Sequence, residues 1–403
     1  MSNRADSQQP KRVHMLVWNS FVHDARVRNE AITLIQAGYN VCVHALHLPG
    51  VTPVYEVTAD GIEVVRYGKK QVLKQTKKKS QTGVIARPLN ILMQILSRLG
   101  THAQILWALV RAKPNVIHAH DVDMLPTAWL ASIFSRCALV YDAHEIGTGR
   151  EGYTGLRKLV GCIEQFLMPK AQGLITTTDM RAKFFSRAYG VKRPLVLQNR
   201  PRLQKQLLTS NTIRETLKLD EPWPIVIYQG GLQAGRGLEL LVRTAAETKD
   251  AYYVFVGSGV LLGTLQNIVK ELQLEKRVHF IPAVPLEDLP SYTASADIGI
   301  QPILNTCLNH YTTDSNKLFE YVQAGLPIIT SNLPEIRKVV QAYDLGLLVE
   351  EDNQPALIEA LNTLIQGESL RNYYAEKSSR AALSLNWENQ EQELVSLYAS
   401  IVK

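Results

Sequence analysis

Three stretches of this sequence combine residue types that could hold an anionic substrate. The first is TTDSNKLFEYVQAGLPIITSNLPE, residues 312–335. It reads as a polar loop, an amphipathic helix, a turn at Gly325, a buried strand and a second turn. Lys317, Leu318 and Glu320 fall at the start of that helix, with Lys317 and Glu320 one turn apart on one face. Free N–H groups and the positive end of the helix dipole suit a phosphate there. A carboxylate one turn in can accept hydrogen bonds from two ribose hydroxyls. Phosphate plus ribose means a nucleotide.

The second stretch is Gly230-Gly231-Leu-Gln-Ala-Gly235-Arg236-Gly237, a turn running from a strand into a helix. Its glycines let backbone approach a phosphate, and Arg236 adds a cation near the helix start. It is neither GxGxxG nor a Walker A sequence. Gly257-Ser258-Gly259 is a shorter turn of the same kind. The third stretch is VYDAHE, in which His144 follows a strand. An imidazole there could hydrogen-bond a sugar hydroxyl or act as acid or base. His118 and His120 share one strand face. They precede Asp121-Val-Asp123, but no third ligand follows at diagnostic spacing, so no metal site is expected. Each stretch also has a plainer use, as a tight turn, a strand cap or a solvated helix face.

The elements that must position these residues alternate strand and helix along the whole chain, the pattern of parallel α/β sheets. Buried strands are expected at 12–18, 39–46, 62–68, 115–121, 138–145 and 173–179, and the grammar restarts at 224–231. In open α/β sheets, ligands bind beyond the carboxyl ends of the strands. The polar residues gather there, at 19–24, 118–123 and 142–145 in the first half and at 229–237, 257–259 and 302–317 in the second. Two such rims facing each other would form a cleft.

With 403 residues the chain has room for two domains. Four distant cysteines without a CxxC argue against a disulfide framework or structural zinc and fit a reducing cytosol. Residues 1–11 are polar, are expected to be disordered and lack the apolar core of a signal peptide. The apolar stretch 89–110 is interrupted by polar residues and does not read as a membrane span. Residues 1–200 carry 27 Lys and Arg against 13 Asp and Glu, a net +14; the remainder carries 17 against 24, a net −7. The basic run Lys69–Lys79 leads into the 89–110 segment, so an anionic membrane surface is an expected partner. The run has no interleaved aromatics, which argues against nucleic acid.

In order and spacing these motifs, with HDARVRNEAITLIQAGYNV (23–41) and VIHAHDVDMLP (116–126), resemble the GT-B fold glycosyltransferases of the group 1 family, family 4. The resemblance runs from about residue 12 to 400. It implies an α/β architecture of two Rossmann-like domains facing across a cleft: an acceptor domain at 12–200 and a donor domain at 201–387. A final helix at 388–403 would cross back onto the first domain. It implies retaining, metal-independent transfer of a hexose from a UDP- or GDP-sugar to a hydroxyl acceptor in the cytoplasm, with no other cofactor. The favoured acceptor is a lipid-linked saccharide of surface polysaccharide or glycolipid synthesis, reached at the inner face of the cytoplasmic membrane.

Residue by residue, the resemblance makes His144 and Arg236 the catalytic pair. Gly230, Gly231, Gly235, Gly257, Ser258, Gly259, Lys317, Leu318 and Glu320 fall on the donor side. Asn19, Asp24, His120 and Asp121 fall on the acceptor side. Two positions depart from the family pattern. Gly231 stands where an Arg is usual, leaving Lys317 or another Arg to compensate, and Thr312 stands where a sugar-contacting Glu is usual. A non-hydrolysing nucleotide-sugar epimerase and a non-catalytic sugar-nucleotide-binding protein share the expected layout. A PLP-dependent phosphorylase is disfavoured, because no Schiff-base Lys stands out.

Overall fold

The computed structural model describes residues 10–68, 86–149, 155, 157–204 and 210–402. The Lys69–Lys79 run and residues 1–9 lie outside the described residues. The first domain runs β1 (Arg12–Leu16), α1 (Ala25–Gln36), β2 (Asn40–Leu46), β3 (Tyr55–Val57), β4 (Glu63–Tyr67), α2 (Ala86–Ala112) and β5 (Val116–His120). It continues with α3 (Asp121–Ser135), β6 (Ala138–Ala143), α4 (Arg157–Leu167), β7 (Gly173–Thr176), α5 (Asp179–Tyr189) and β8 (Leu195–Val196). Its sheet has the order β3-β4-β2-β1-β5-β6-β7-β8, parallel except for the short edge strand β3. β5 is buried along its whole length, as a central strand covered on both faces must be.

The second domain runs α6 (Thr212–Leu217), β9 (Ile225–Gln229), α7 (Leu238–Glu247), β10 (Tyr252–Val256), α8 (Leu262–Glu271), β11 (Val278–Ile281), α9 (Leu289–Thr293) and β12 (Ile298–Gln301). It continues with α10 (Leu308–Tyr311), α11 (Asn316–Gln323), β13 (Ile328–Ser331), α12 (Pro334–Tyr343), β14 (Gly346–Val349), α13 (Gln354–Gln366) and α14 (Glu368–Ala382). The sheet order β11-β10-β9-β12-β13-β14 is wholly parallel. In both sheets the strand order reverses beside the first strand, β1 or β9. That switch point is where a doubly wound sheet opens a crevice for a ligand.

Local signals set the helix ends. Asp24 caps α1 by accepting from Val27 N (3.1 Å), and Thr178 caps α5 through Arg181 N (3.3 Å). Gly190, at φ +66°, ends α5. Apolar side chains pack on both faces of each sheet. The last helix, α15 (Glu388–Ile401), crosses back to the first domain. The buried Trp387 just before it donates from Nε1 to Thr33 Oγ1 of α1 (2.8 Å). Tyr398 inside it lies 2.9 Å from His118 Nδ1 of β5.

Candidate active site

The carboxyl ends of the two sheets face each other across a cleft. Arg26, His144, Glu145, Thr177, Arg181 and Asn199 line it from the first domain, and Arg236 and residues 313–317 from the second. The sequence-derived pair His144 and Arg236 thus meets Lys317 around one space, although His144 lies far from both in sequence.

On the second domain, Gly230 follows the end of β9, and its φ of +114° is one that only glycine adopts readily. A Cβ there would come within 2.9 Å of Lys317 Cε, so the missing side chain is what lets Lys317 lie over the turn. The 257–259 turn supports this one from behind: Leu232 N donates to Ser258 O (3.0 Å), and Gly230 N to Val256 O (2.8 Å). Leu304 N donates to Gly235 O (2.9 Å), which ties the turn to the loop after β12. Ser258 itself is exposed.

The start of α11 has no side-chain cap. Lys317 and Arg236 make no ion pair among the described residues. Burial, reinforced by the Arg236 charge and partly offset by Glu320, lowers the Lys317 ammonium to about 8. One turn in, Glu320 Oε2 accepts from Gln229 Nε2 (2.5 Å), and Gln229 Oε1 accepts from Thr293 Oγ1 (2.8 Å). Burial raises the Glu320 carboxyl. Leu318 does not line the donor side: it is fully buried in the apolar core behind α11. A helix start exposes one face, and Leu318 lies on the other.

On the first domain, His144 Nε2 stands 3.0 Å from Asp142 Oδ2 and 3.1 Å from His120 Nδ1. Its Nδ1 is 3.8 Å from Asp121 Oδ2. Burial alone would lower its pKa, but Asp142 and Asp121 overcome that and raise it to about 9. The two carboxylates thus favour the imidazolium form of His144. Arg26 grips Asp142 with both arms, Nε to Oδ2 (2.7 Å) and Nη2 to Oδ1 (2.9 Å), and donates to Leu197 O (2.6 Å). Against the burial penalty, Arg26 and His144 hold Asp142 well below its ordinary range. Buried Glu30, 3.3 Å from Arg26 Nε, is pushed up by burial and by Asp142.

His120 is buried behind His144 and does not reach the acceptor side expected of it. It packs against His144 from within the core, 3.1 Å from its Nε2. Asn19 and Asp24 pair with each other (2.7 Å) at the cap of α1. Glu30, His118, His120 and Asp142 converge closely enough to hold a cation, a cluster that sequence spacing did not reveal. The Arg26 guanidinium already binds both Asp142 oxygens there.

Arg181 was not singled out from the sequence. It is buried, and its hydrogen bonds among the described residues all go to neutral oxygens. Nε donates to Thr312 Oγ1 (3.2 Å), Nη1 to His144 O and Thr177 Oγ1 (2.6 Å), and Nη2 to Asn309 O (3.0 Å). Asn309 exchanges two bonds with the Ile146 backbone (2.8 and 3.1 Å), and Thr178 Oγ1 donates to Thr312 O (2.9 Å). Thr312, where a sugar-contacting Glu was expected, is instead part of a clasp between the domains. Asp314 lines the cleft beside it, takes a bond from Gln198 Nε2 (2.8 Å), and is raised by burial to about 6.

A family model described as "Glycosyl transferases group 1" matches residues 209–381. A second, described as "Glycosyl transferase 4-like domain", matches residues 24–201. The chain is similar to a D-inositol 3-phosphate glycosyltransferase of Corynebacterium urealyticum, 23% identical over 312 residues, spanning 71% of this chain and 72% of that protein. It is also similar to the O-antigen biosynthesis glycosyltransferase WclY of Escherichia coli, 24% identical over 159 residues, 38% of this chain and 42% of that one. Among solved structures, Anabaena HepE in complex with UDP-glucose superposes with a TM-score of 0.74 at 15% identity, covering 96% of this chain and 99% of that chain. One family domain matches each sheet, and Lys317 and Arg236 of the second face His144 of the first across the cleft; the chain belongs to the group 1 glycosyltransferases of GT-B fold, enzymes that transfer a sugar from a nucleotide-sugar.

Proposed function

We propose that this enzyme transfers a hexose from a UDP- or GDP-sugar to a hydroxyl of a lipid-linked saccharide, with retention at the anomeric carbon and without a metal. The observation that carries the donor site is the convergence of Lys317 and Arg236, which make no ion pair among the described residues, on the space above the Gly230 turn. The diphosphate lies against them and the open start of α11. The ribose hydroxyls reach Glu320, which Gln229 holds in place. As the bond from the anomeric carbon to the diphosphate oxygen breaks, negative charge develops on that oxygen. Lys317, Arg236 and the His144 imidazolium are already oriented to receive it, so little reorganisation is needed in the transition state. With cations supplied by side chains, the diphosphate needs no metal to neutralise it.

The UDP-glucose held by the Anabaena protein favours uridine as the base. The O-antigen role of the Escherichia coli relative favours a surface-polysaccharide acceptor. The test is transfer from a panel of UDP- and GDP-sugars to lipid-linked saccharides, with and without EDTA, and with the product anomer read by NMR. Arg236→Ala should lower kcat by about 10²–10³. Loss of activity with EDTA, an inverted product, or full activity of Arg236→Ala would each overturn part of this reading. Release of an epimerised nucleotide-sugar without an acceptor would replace it.

A further inference from the structure

Helices α2, α3 and α4 form one layer over one face of the first sheet, and their outer surface is unusually apolar for a face turned to water. α3 carries no charge beyond its first turn. Its outer side presents Ile133 (52% exposed) and Phe134 (65%). On either side stand Trp107 of α2 (62%) and Leu159 and Phe166 of α4 (57% and 61%). Trp129 and Phe166 touch edge to face, with ring centres 6.2 Å apart, so α3 and α4 share one continuous patch. Patches of this kind on a soluble fold mark an interaction site.

The charges around the patch have one sign. Among the described residues of these helices and the turns that follow them, the acids are Asp121, Asp123 and Glu164. Glu164 is fully buried, Asp123 is paired with Arg98, and Asp121 lies at the cleft. The exposed bases are Arg98, Arg111, Lys113, Arg136, Arg157, Lys158 and Lys170. Two of them lie over aromatic rings, Arg111 at 4.4 Å from the Trp107 centroid and Lys170 at 4.3 Å from that of Phe166. A cation beside an exposed aromatic, with no exposed unpaired acid on the outer side of these helices among the described residues, matches the interface of an anionic bilayer, where rings sit at headgroup depth and long basic side chains meet phosphates.

The geometry points to the outer surface of α2–α3–α4 as the face on which this enzyme rests on an anionic phospholipid bilayer. The use assigned to it rests on the lipid-linked acceptor proposed above. The patch also lies beside the cleft. Where α2 meets the rim of the sheet, Met93, Arg98 and Thr101 line an open recess with Trp18 and Tyr67. An acceptor anchored in the membrane can pass along α2 into this recess without leaving the surface.

The experiment is co-sedimentation of the whole protein with vesicles of phosphatidylcholine alone or mixed with phosphatidylglycerol. Binding is expected to the mixed vesicles and to weaken as salt rises. Lys158→Gln with Lys170→Gln should lower partition about 30-fold, about fivefold for each charge lost. Phe134→Asp with Phe166→Asp should lower it at least tenfold while UDP binding stays unchanged, which shows that the variant is folded. Equal partition of these variants and the unaltered protein overturns the proposal. So does light scattering that shows the unaltered protein as a dimer and Phe134→Asp as a monomer, since a second copy would then cover the face. If vesicle binding fails while transfer to a detergent-solubilised lipid acceptor proceeds, only the docking face falls. If vesicles bind but no lipid-linked saccharide is glycosylated, the acceptor reading falls and the face stands.

Discussion

Donor binding should carry the signature of Lys317 in its pH dependence. The ammonium is lowered to about 8 by burial and by Arg236, against the opposing pull of Glu320. An anionic diphosphate binds its protonated form, so affinity should be flat near neutrality and fall as pH rises through 8. At pH 9 only about one molecule in ten holds the proton, which costs about 1.4 kcal/mol, a tenfold weaker Kd. The terminal phosphate of UDP, with a pKa near 6, is fully ionised across this window. His144, raised to about 9 by Asp142 and Asp121 against its burial, should add a later, separate step where it meets the phosphate. The assay is calorimetric titration of UDP from pH 7 to 10 in buffers of different ionisation enthalpy. Near pH 8 each UDP bound should take up about half a proton. Lys317→Met should weaken binding about 10- to 100-fold at pH 7, the value of a charge-assisted contact, and should erase the step near 8 while leaving the later one. An affinity that stays constant from pH 7 to 9, or an unchanged step in Lys317→Met, would refute Lys317 as the phosphate ligand.

Further expectations follow from the same geometry. Gly231→Arg should fold normally, because a Cβ there meets nothing nearer than the Gln233 side chain at 3.5 Å. It should tighten UDP about fivefold, the ~1 kcal/mol of a partly exposed charge contact. Asp142→Asn removes the two-armed partner of Arg26 and leaves Glu30, 3.3 Å from Arg26 Nε, to balance its charge, so it should cost about 1.5–3 kcal/mol in denaturant unfolding. It should also lower the titration step assigned to His144. Glu164 is raised by burial to about 7, despite bonds from Tyr141 (2.6 Å) and Tyr189 (2.9 Å). Its raised folded pKa means that its contribution to stability is complete below about 4.5 and lost as pH rises through 7. Glu164→Gln should therefore gain on the unaltered protein between pH 5 and 8, by up to about 3 kcal/mol, read by chemical denaturation at each pH.

Much of the architecture could be read from sequence because parallel strands buried on both faces are written as apolar runs that stop at polar or glycine residues. Helix α2 was recognisable only as an apolar stretch, and β3 escaped notice, since three half-exposed residues on a sheet edge carry no pattern. The donor turn and the α11 start were legible because glycine, Arg236, Lys317 and Glu320 lie within local motifs. The first-domain half was not. Arg26 and Asp142 are 116 positions apart, and nothing in ARVRNEA marks one arginine as the anchor of a histidine across the sheet. Arg181 sits in an ordinary amphipathic helix, and its four acceptors come from three separate loops and a helix. His120 and Leu318 were misplaced for a related reason: neighbours of a site in sequence can face the core.

The Arg181 clasp bears on attempts to redesign what this enzyme transfers. Grafting the family's usual Glu into position 312 would be the obvious way to recruit a new sugar. In this fold the grafted carboxylate would meet a guanidinium that now lies 3.2 Å from the Thr312 hydroxyl. The two would pair, and the new side chain would be spent on the clasp between the domains rather than on the sugar. Changing the sugar here means working from Asp314, which lines the cleft beside Thr312, and from the gap that Gly231 leaves at the family's usual Arg position.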